Sequence, residues 1–243
     1  MLNIHRPDGT LLYELYNWDG PLVGLDNLRL VSDSAIRRVK FDADGNLLLY
    51  AWSDGGNSVL TREPFDLRRP TPRLDGLGMS AWGAGVLSCA YLIKLDPATL
   101  RVIGGTLWLA YLKDRDKPNS IWVDTLGFAA DGSVCVGGKS AWGLIQTGNA
   151  LHRGEPTGPY VAVFSRDFTS LRFSSTLPGT GAVDLRDGER WGVVTGRPNG
   201  RPRVLFVGGA VDGAPIAGGP QPRFGGGHAD GYLLLLDLSR PEK

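Results

Sequence analysis

The stretch Thr125-Leu126-Gly127-Phe128-Ala129-Ala130-Asp131-Gly132-Ser133-Val134-Cys135-Val136-Gly137-Gly138 reads as a strand, an Asp-Gly turn and a second strand, and its grammar recurs. Residues 35–50 (AIRRVKFDADGNLLLY) repeat it. Residues 191–209 repeat it more loosely around Asn199-Gly200, and residues 2–16 around Asp8-Gly9. Asp-Gly and Asn-Gly between apolar runs signal hairpins, read here as type I′ turns with positive φ at both central positions. Alternation with a period of two puts Val39 and Phe41 at core positions equivalent to Leu126 and Phe128.

A second unit alternates with the first: Tyr91-Leu92-Ile93-Lys94-Leu95-Asp96, then Tyr160-Val161-Ala162-Val163-Phe164, then Tyr232-Leu233-Leu234-Leu235-Leu236-Asp237. Each is a strand entering a turn. A recurring strand-turn-strand unit is the signature of a repeat architecture, and propeller blades run about 40 to 50 residues. The turn glycines Gly45, Gly132 and Gly200 lie further apart than that. The repeats therefore carry insertions, chiefly residues 54–88 and 143–158, rich in Pro, Gly, Arg and Asp and read as loops.

The alternation of YLIKLDP with VDTLGFAADGSVCVGG, and of GGGHADGYLLLLDL with the upstream VLFVGGA, resembles bacterial β-propeller repeats of the SBBP type and also of the NHL type. That resemblance implies an all-β fold, a β-propeller of about three to four blades or a fragment of a larger one. The turn-containing piece would form the two inner strands of a blade, and the second unit the two outer ones. It brings no catalytic residues. The expected single domain, residues 1–243, has blade units at about 1–17, 35–110, 121–178 and 190–238. The last lacks its outer strand, and the strand count does not close a simple ring. Exposed edges invite pairing, so self-association through edge strands is expected if the termini do not meet. The five apolar residues of the tract 232–236 must be covered on both faces, and that strand is expected to be central or covered, with the strand at residues 11–16 beside it.

Composition limits the partners. The 243 residues carry 26 basic and 25 acidic side chains, a net charge of +1, so no overall field draws the chain to nucleic acid or an anionic membrane. No run approaches the roughly 20 apolar residues of a membrane-spanning helix, and the first residues lack a signal-peptide core. The resemblance nevertheless places the parent protein among exported or periplasmic ones. Cys89 and Cys135 fit no metal-ligand spacing and are read as free buried thiols, a disulfide being the alternative.

No motif converges on catalysis. His5, His152 and His228 lack neighbouring ligands, and Gly225-Gly226-Gly227-His228 lacks the Lys-Ser/Thr of a phosphate loop, so it reads as the turn into a blade. Asp114 with Asp116, and Asp184 with Asp187, sit among basic loop residues as solvated charges. Asp42-Ala43-Asp44-Gly45-Asn46 partly matches a calcium loop without its downstream acid and is read as a turn. No cofactor, metal site or catalytic residue is expected. Ser80-Ala81-Trp82-Gly83 recurs as Ser140-Ala141-Trp142-Gly143, so Trp82 and Trp142, together with Trp52, are the ligand-binding candidates, by stacking on a protein or glycan; their bland alternative is packing between blades. Two readings follow: a noncatalytic binding or scaffolding module of a larger exported protein, or an enzyme, a lyase or hydrolase, with its site at the mouth of a ring.

Overall fold

The structure is a computed structural model that describes residues 2–15, 34–53, 88–99, 101–115, 117–154, 157–177, 191–196, 203–210, 212–214, 216–227 and 230–237. All of its regular structure is β-strand, arranged in antiparallel sheets none of which closes on itself. The strands are β1 (Leu2–His5), β2 (Leu11–Leu15), β3 (Ser34–Phe41), β4 (Leu47–Ser53), β5 (Cys89–Asp96), β6 (Arg101–Trp108), β7 (Ala110–Leu112), β8 (Lys117–Asn119), β9 (Ile121–Phe128), β10 (Val134–Ser140), β11 (Gly158–Phe164), β12 (Leu171–Thr176), β13 (Trp191–Gly196), β14 (Arg203–Ala210) and β15 (Asp230–Asp237). They fall into two compact units, one carrying β1 to β6 and the other β9 to β15.

In the first unit β1 pairs with β2, and β3-β4-β5-β6 form sheet 1 in chain order. In the second, β9-β10-β11-β12 form sheet 2 and β13-β14-β15 form sheet 3. Sheets 1 and 2 repeat each other residue by residue. Phe41 faces Leu47 as Phe128 faces Val134, and both inner hairpins carry one extra residue at the same place, Arg37 and Asp124. Both outer hairpins do so too, at Ile103 and Arg172. The β1-β2 hairpin has its extra residue, Leu12, at the outer-hairpin position, one pair beyond the turn. Tyr91, Tyr160 and Tyr232 occupy one register, opposite Ala51, Gly138 and Gly208.

The turns explain the shared register, although they are not type I′. In each, the amide of the first residue donates to the carbonyl of the fifth and the fourth residue's amide donates back to the first: Arg6 and Thr10, Asp42 and Asn46, Ala129 and Ser133. Positive φ falls only on Gly9, Gly45 and Gly132, at 83° to 86°. These are three-residue loops, a type I turn followed by a left-handed glycine. The aspartate before the glycine keeps a negative φ, and a turn carboxylate accepts from the turn's own amides: Asp8 Oδ1 from Thr10 N at 2.9 Å, Asp131 Oδ1 from Ser133 N at 3.0 Å, and in the second turn Asp42 Oδ1 from Asn46 N at 2.8 Å. The Asn199-Gly200 turn lies outside the described residues.

Sheets 2 and 3 pack through one side each. Cys135, Val161, Val163 and Phe173 of sheet 2 form one buried cluster with Val204, Phe206 and Leu236 of sheet 3, with Tyr232 and Leu234 packed against it. The outer hairpin of sheet 2 closes on Phe168, whose positive φ of 61° is unusual for a non-glycine residue. Its buried ring lies 5.9 Å from that of Phe164, and that burial holds the strained backbone in place.

Two expectations are corrected. Val39 and Phe41 do share the register of Leu126 and Phe128, yet they are exposed while Leu126 is buried. Alternation assigns a side chain to a side of the sheet, and only what lies over that side buries it. Likewise β15 is not covered on both faces: among the described residues it is the edge of sheet 3 and pairs with β14 alone, and Leu233 and Leu235 are exposed. Within its own unit the strand β2 pairs with β1.

Candidate functional site

The three predicted tryptophans meet different fates. Trp52, on β4, is half-buried and pinned: its Nε1 donates to Ser88 Oγ at 2.8 Å, the Ser88 amide donates to Ser120 Oγ at 3.0 Å, and the Arg37 guanidinium lies 5.3 Å from the ring centre. A cation over an indole face is an electrostatic contact, so that face is occupied by the protein itself. Trp82 lies outside the described residues. Trp142 is exposed, two positions beyond the end of β10. The chain there is held by the amide of Tyr111, which donates to the Gly143 carbonyl at 2.7 Å.

Sequence reading missed Trp122. It sits on β9 directly opposite Lys139 of β10, and both side chains are exposed. No sequence signal marked it, since Ile121-Trp122-Val123 is an unbroken apolar run; only the structure shows the flanking residues buried and the tryptophan between them exposed. Trp122 and Lys139 thus lie on paired strands at one end of sheet 2, and Trp142 follows just beyond that end. The backbone beneath is anchored by the buried Tyr160, whose hydroxyl donates to the Trp122 carbonyl at 3.2 Å across two strands. Gly138 makes this possible, for a Cβ there would stand 2.0 Å from that carbonyl oxygen.

The insertion between β10 and β11 is an organised cover on the edge strand β12. Thr147 donates from its amide to the Ser174 carbonyl at 3.2 Å, and the Ser174 amide donates to Thr147 Oγ1 at 2.9 Å. Asn149 Nδ2 donates to the Arg172 carbonyl at 3.2 Å, and the His152 amide to Ser175 Oγ at 3.1 Å. Gln146 Nε2 reaches both the His152 carbonyl (2.8 Å) and Thr176 Oγ1 (3.0 Å), and His152 Nδ1 lies 3.1 Å from Thr176 Oγ1. Covering an edge this way protects its backbone groups from pairing with another chain. His152 is therefore part of a structural clasp.

The remaining candidates are also structural. Asp42, the start of the partial calcium motif, accepts from Asp44 N, Asn46 N and Asn46 Nδ2 and forms a buried ion pair with Lys94. Asp131 is paired with Arg172, which also donates to Ser133 Oγ. In both, burial works to raise the carboxyl pKa, and hydrogen bonds with the neighbouring cation outweigh it, leaving the value below the ordinary range. Asp114 is exposed beside Arg115; Asp116, Asp184, Asp187 and His228 lie outside the described residues. In the glycine-rich segment the Gly225 amide is taken by Asp230 Oδ2, which also accepts from Gln221 Nε2 at 3.1 Å, so this loop closes on its own carboxylate at the entry to β15. His5 Nδ1 lies 3.0 Å from the Gly9 carbonyl, inside its own hairpin. Cys89 and Cys135 are buried and form no disulfide. Among the described residues no group of three His, Cys, Asp or Glu side chains is placed to hold a metal ion, and no helix is long and apolar enough to cross a membrane. No protein-family model, curated protein or solved structure matches the chain.

Proposed function

We propose that the chain is a noncatalytic binding or scaffolding module built from propeller-type repeats, part of a larger exported protein, and that it presents the Trp122, Lys139 and Trp142 end of sheet 2 to a protein or glycan. Three features support the propeller reading: the residue-by-residue repetition of sheets 1 and 2, the face-to-face packing of sheet 2 on sheet 3, and the outer-hairpin register of β1-β2. The binding reading is carried by one observation, two exposed indoles and an exposed lysine at one end of sheet 2. Aromatic side chains are enriched at recognition surfaces because they offer large contact area at small conformational cost. Among the described residues the polar clusters named above are engaged in turns, ion pairs and the β12 clasp.

A thermal-shift screen against a panel of glycans and metal ions tests the reading. A glycan that raises the melting temperature of the chain, with the shift lost in Trp142→Ala and Trp122→Ala, is the expected result. Stabilisation that depends on a metal ion, or turnover of a panel member, would overturn the noncatalytic reading.

A further inference from the structure

We infer that the outer side of β14 and β15 is a docking surface for a second copy of this chain, which places the bare margin of its β3 there, head to tail. This inference is independent of the ligand surface proposed above. Leu233 and Leu235 are 67% and 52% exposed. By register from the shared tyrosine they correspond to Val161 and Val163 of sheet 2, which are fully buried under sheet 3. The repeat thus expects a sheet over this side, and in sheet 3 the two leucines of β15 on it are exposed.

The occupant is indicated by the junction already formed. Sheet 2 places its Val161 side on the side of sheet 3 that carries Val204, Phe206 and Leu236. The corresponding side of sheet 1 carries Leu47, Leu49 and Leu95, which are buried, and at its margin Val39 and Phe41, which are 47% and 66% exposed. That margin is the part still available. The two strands are also complementary in charge: β3 (SAIRRVKF) has three basic residues and no acid, whereas β15 (DGYLLLLD) has an aspartate at each end and no base. Two β15 faces meeting about a two-fold axis would bring aspartates toward aspartates, so charge favours the head-to-tail pairing. An interface of two different patches generates rings or open chains of copies.

The test is sedimentation equilibrium of the whole chain with two variants, Leu233→Thr/Leu235→Thr and Val39→Thr/Phe41→Thr. Threonine keeps strand propensity at these exposed sites, and unchanged circular dichroism checks the fold. The wild-type chain should associate with rising concentration, and each variant alone should remain a monomer. Mixed, the two variants should form a species of two chains and no larger one, because each keeps one intact patch. A wild-type chain monomeric at every concentration overturns the proposal, as does association that persists in either variant. A mixture that stays monomeric also overturns it, pointing to a symmetric contact.

Discussion

Lys94 Nζ lies 3.1 Å from Asp42 Oδ2, and both side chains are almost wholly buried. The lysine belongs to β5 and the aspartate to the β3-β4 turn, so the pair ties the inner hairpin of sheet 1 to its third strand. Sheet 2 makes the equivalent tie with different residues, Asp131 of the turn and Arg172 of the fourth strand.

Removing one member of such a pair leaves the other charge buried without its counter-ion. Asp42→Asn is expected to cost about 3 to 5 kcal/mol. Adding Lys94→Met should recover much of the loss, since an apolar side chain of similar volume needs no counter-ion. Urea unfolding of the two variants and the wild type checks this; a double variant no more stable than Asp42→Asn contradicts it.

Acid should weaken the fold with a defined sign. Asp42 and Asp131 titrate below the ordinary carboxylate value, and Asp167 is held down to about 2: burial works to raise it, and hydrogen bonds from Ser165 and Thr169 outweigh that. A carboxyl depressed in the folded state contributes stability above its unfolded value of about 3.9, and that stability disappears as pH falls through the folded values. The melting temperature should therefore hold down to about pH 4 and fall steeply below it. A chain as stable at pH 2 as at pH 6 would contradict these carboxylate roles.

Two glycine substitutions should separate close approach from backbone conformation. Gly138→Ala drives a Cβ into the Trp122 carbonyl, a backbone atom that can yield only by shifting β9, and the expected cost is about 3 kcal/mol. Gly45→Ala meets no atom within 4 Å but has φ +83°, so its cost is the left-handed penalty of about 1 to 2 kcal/mol. Chemical denaturation should rank Gly138→Ala as the more damaging.

Truncation at equivalent registers should have unequal effects. Leu126→Ala removes a buried side chain and should cost about 2 to 5 kcal/mol. Val39→Ala removes an exposed one and should cost less than about 1 kcal/mol in the monomer. Equal losses would mean that β3 is covered.

Both thiols are buried and form no disulfide, and burial pushes the Cys135 pKa far up. Thiolate is the reactive form, so a thiol reagent should find almost no reaction in the folded chain and two equivalents in denaturant without reductant. Zero equivalents in denaturant would mean a disulfide.

The strand order within each sheet, the turn positions and the common register of Tyr91, Tyr160 and Tyr232 were legible in the sequence, because alternation and turn chemistry act over a few residues. Trp122 was not legible, because Ile121-Trp122-Val123 is an unbroken apolar run and only burial separates its members. The turn type was misread because Asp-Gly serves two hairpin loops, and only the closing hydrogen bonds tell them apart. Tertiary structure alone decided which sides of the sheets are covered. Val39 and Leu126 have one register and opposite burial, and the tract 232–236 has alternate leucines in solvent, since burial depends on what distant segments bring over a face. The insertion after β10 looked like a loop because its bonds are made by Gln146, Thr147, Asn149 and His152 to a strand more than twenty residues away, and no local pattern records that distance.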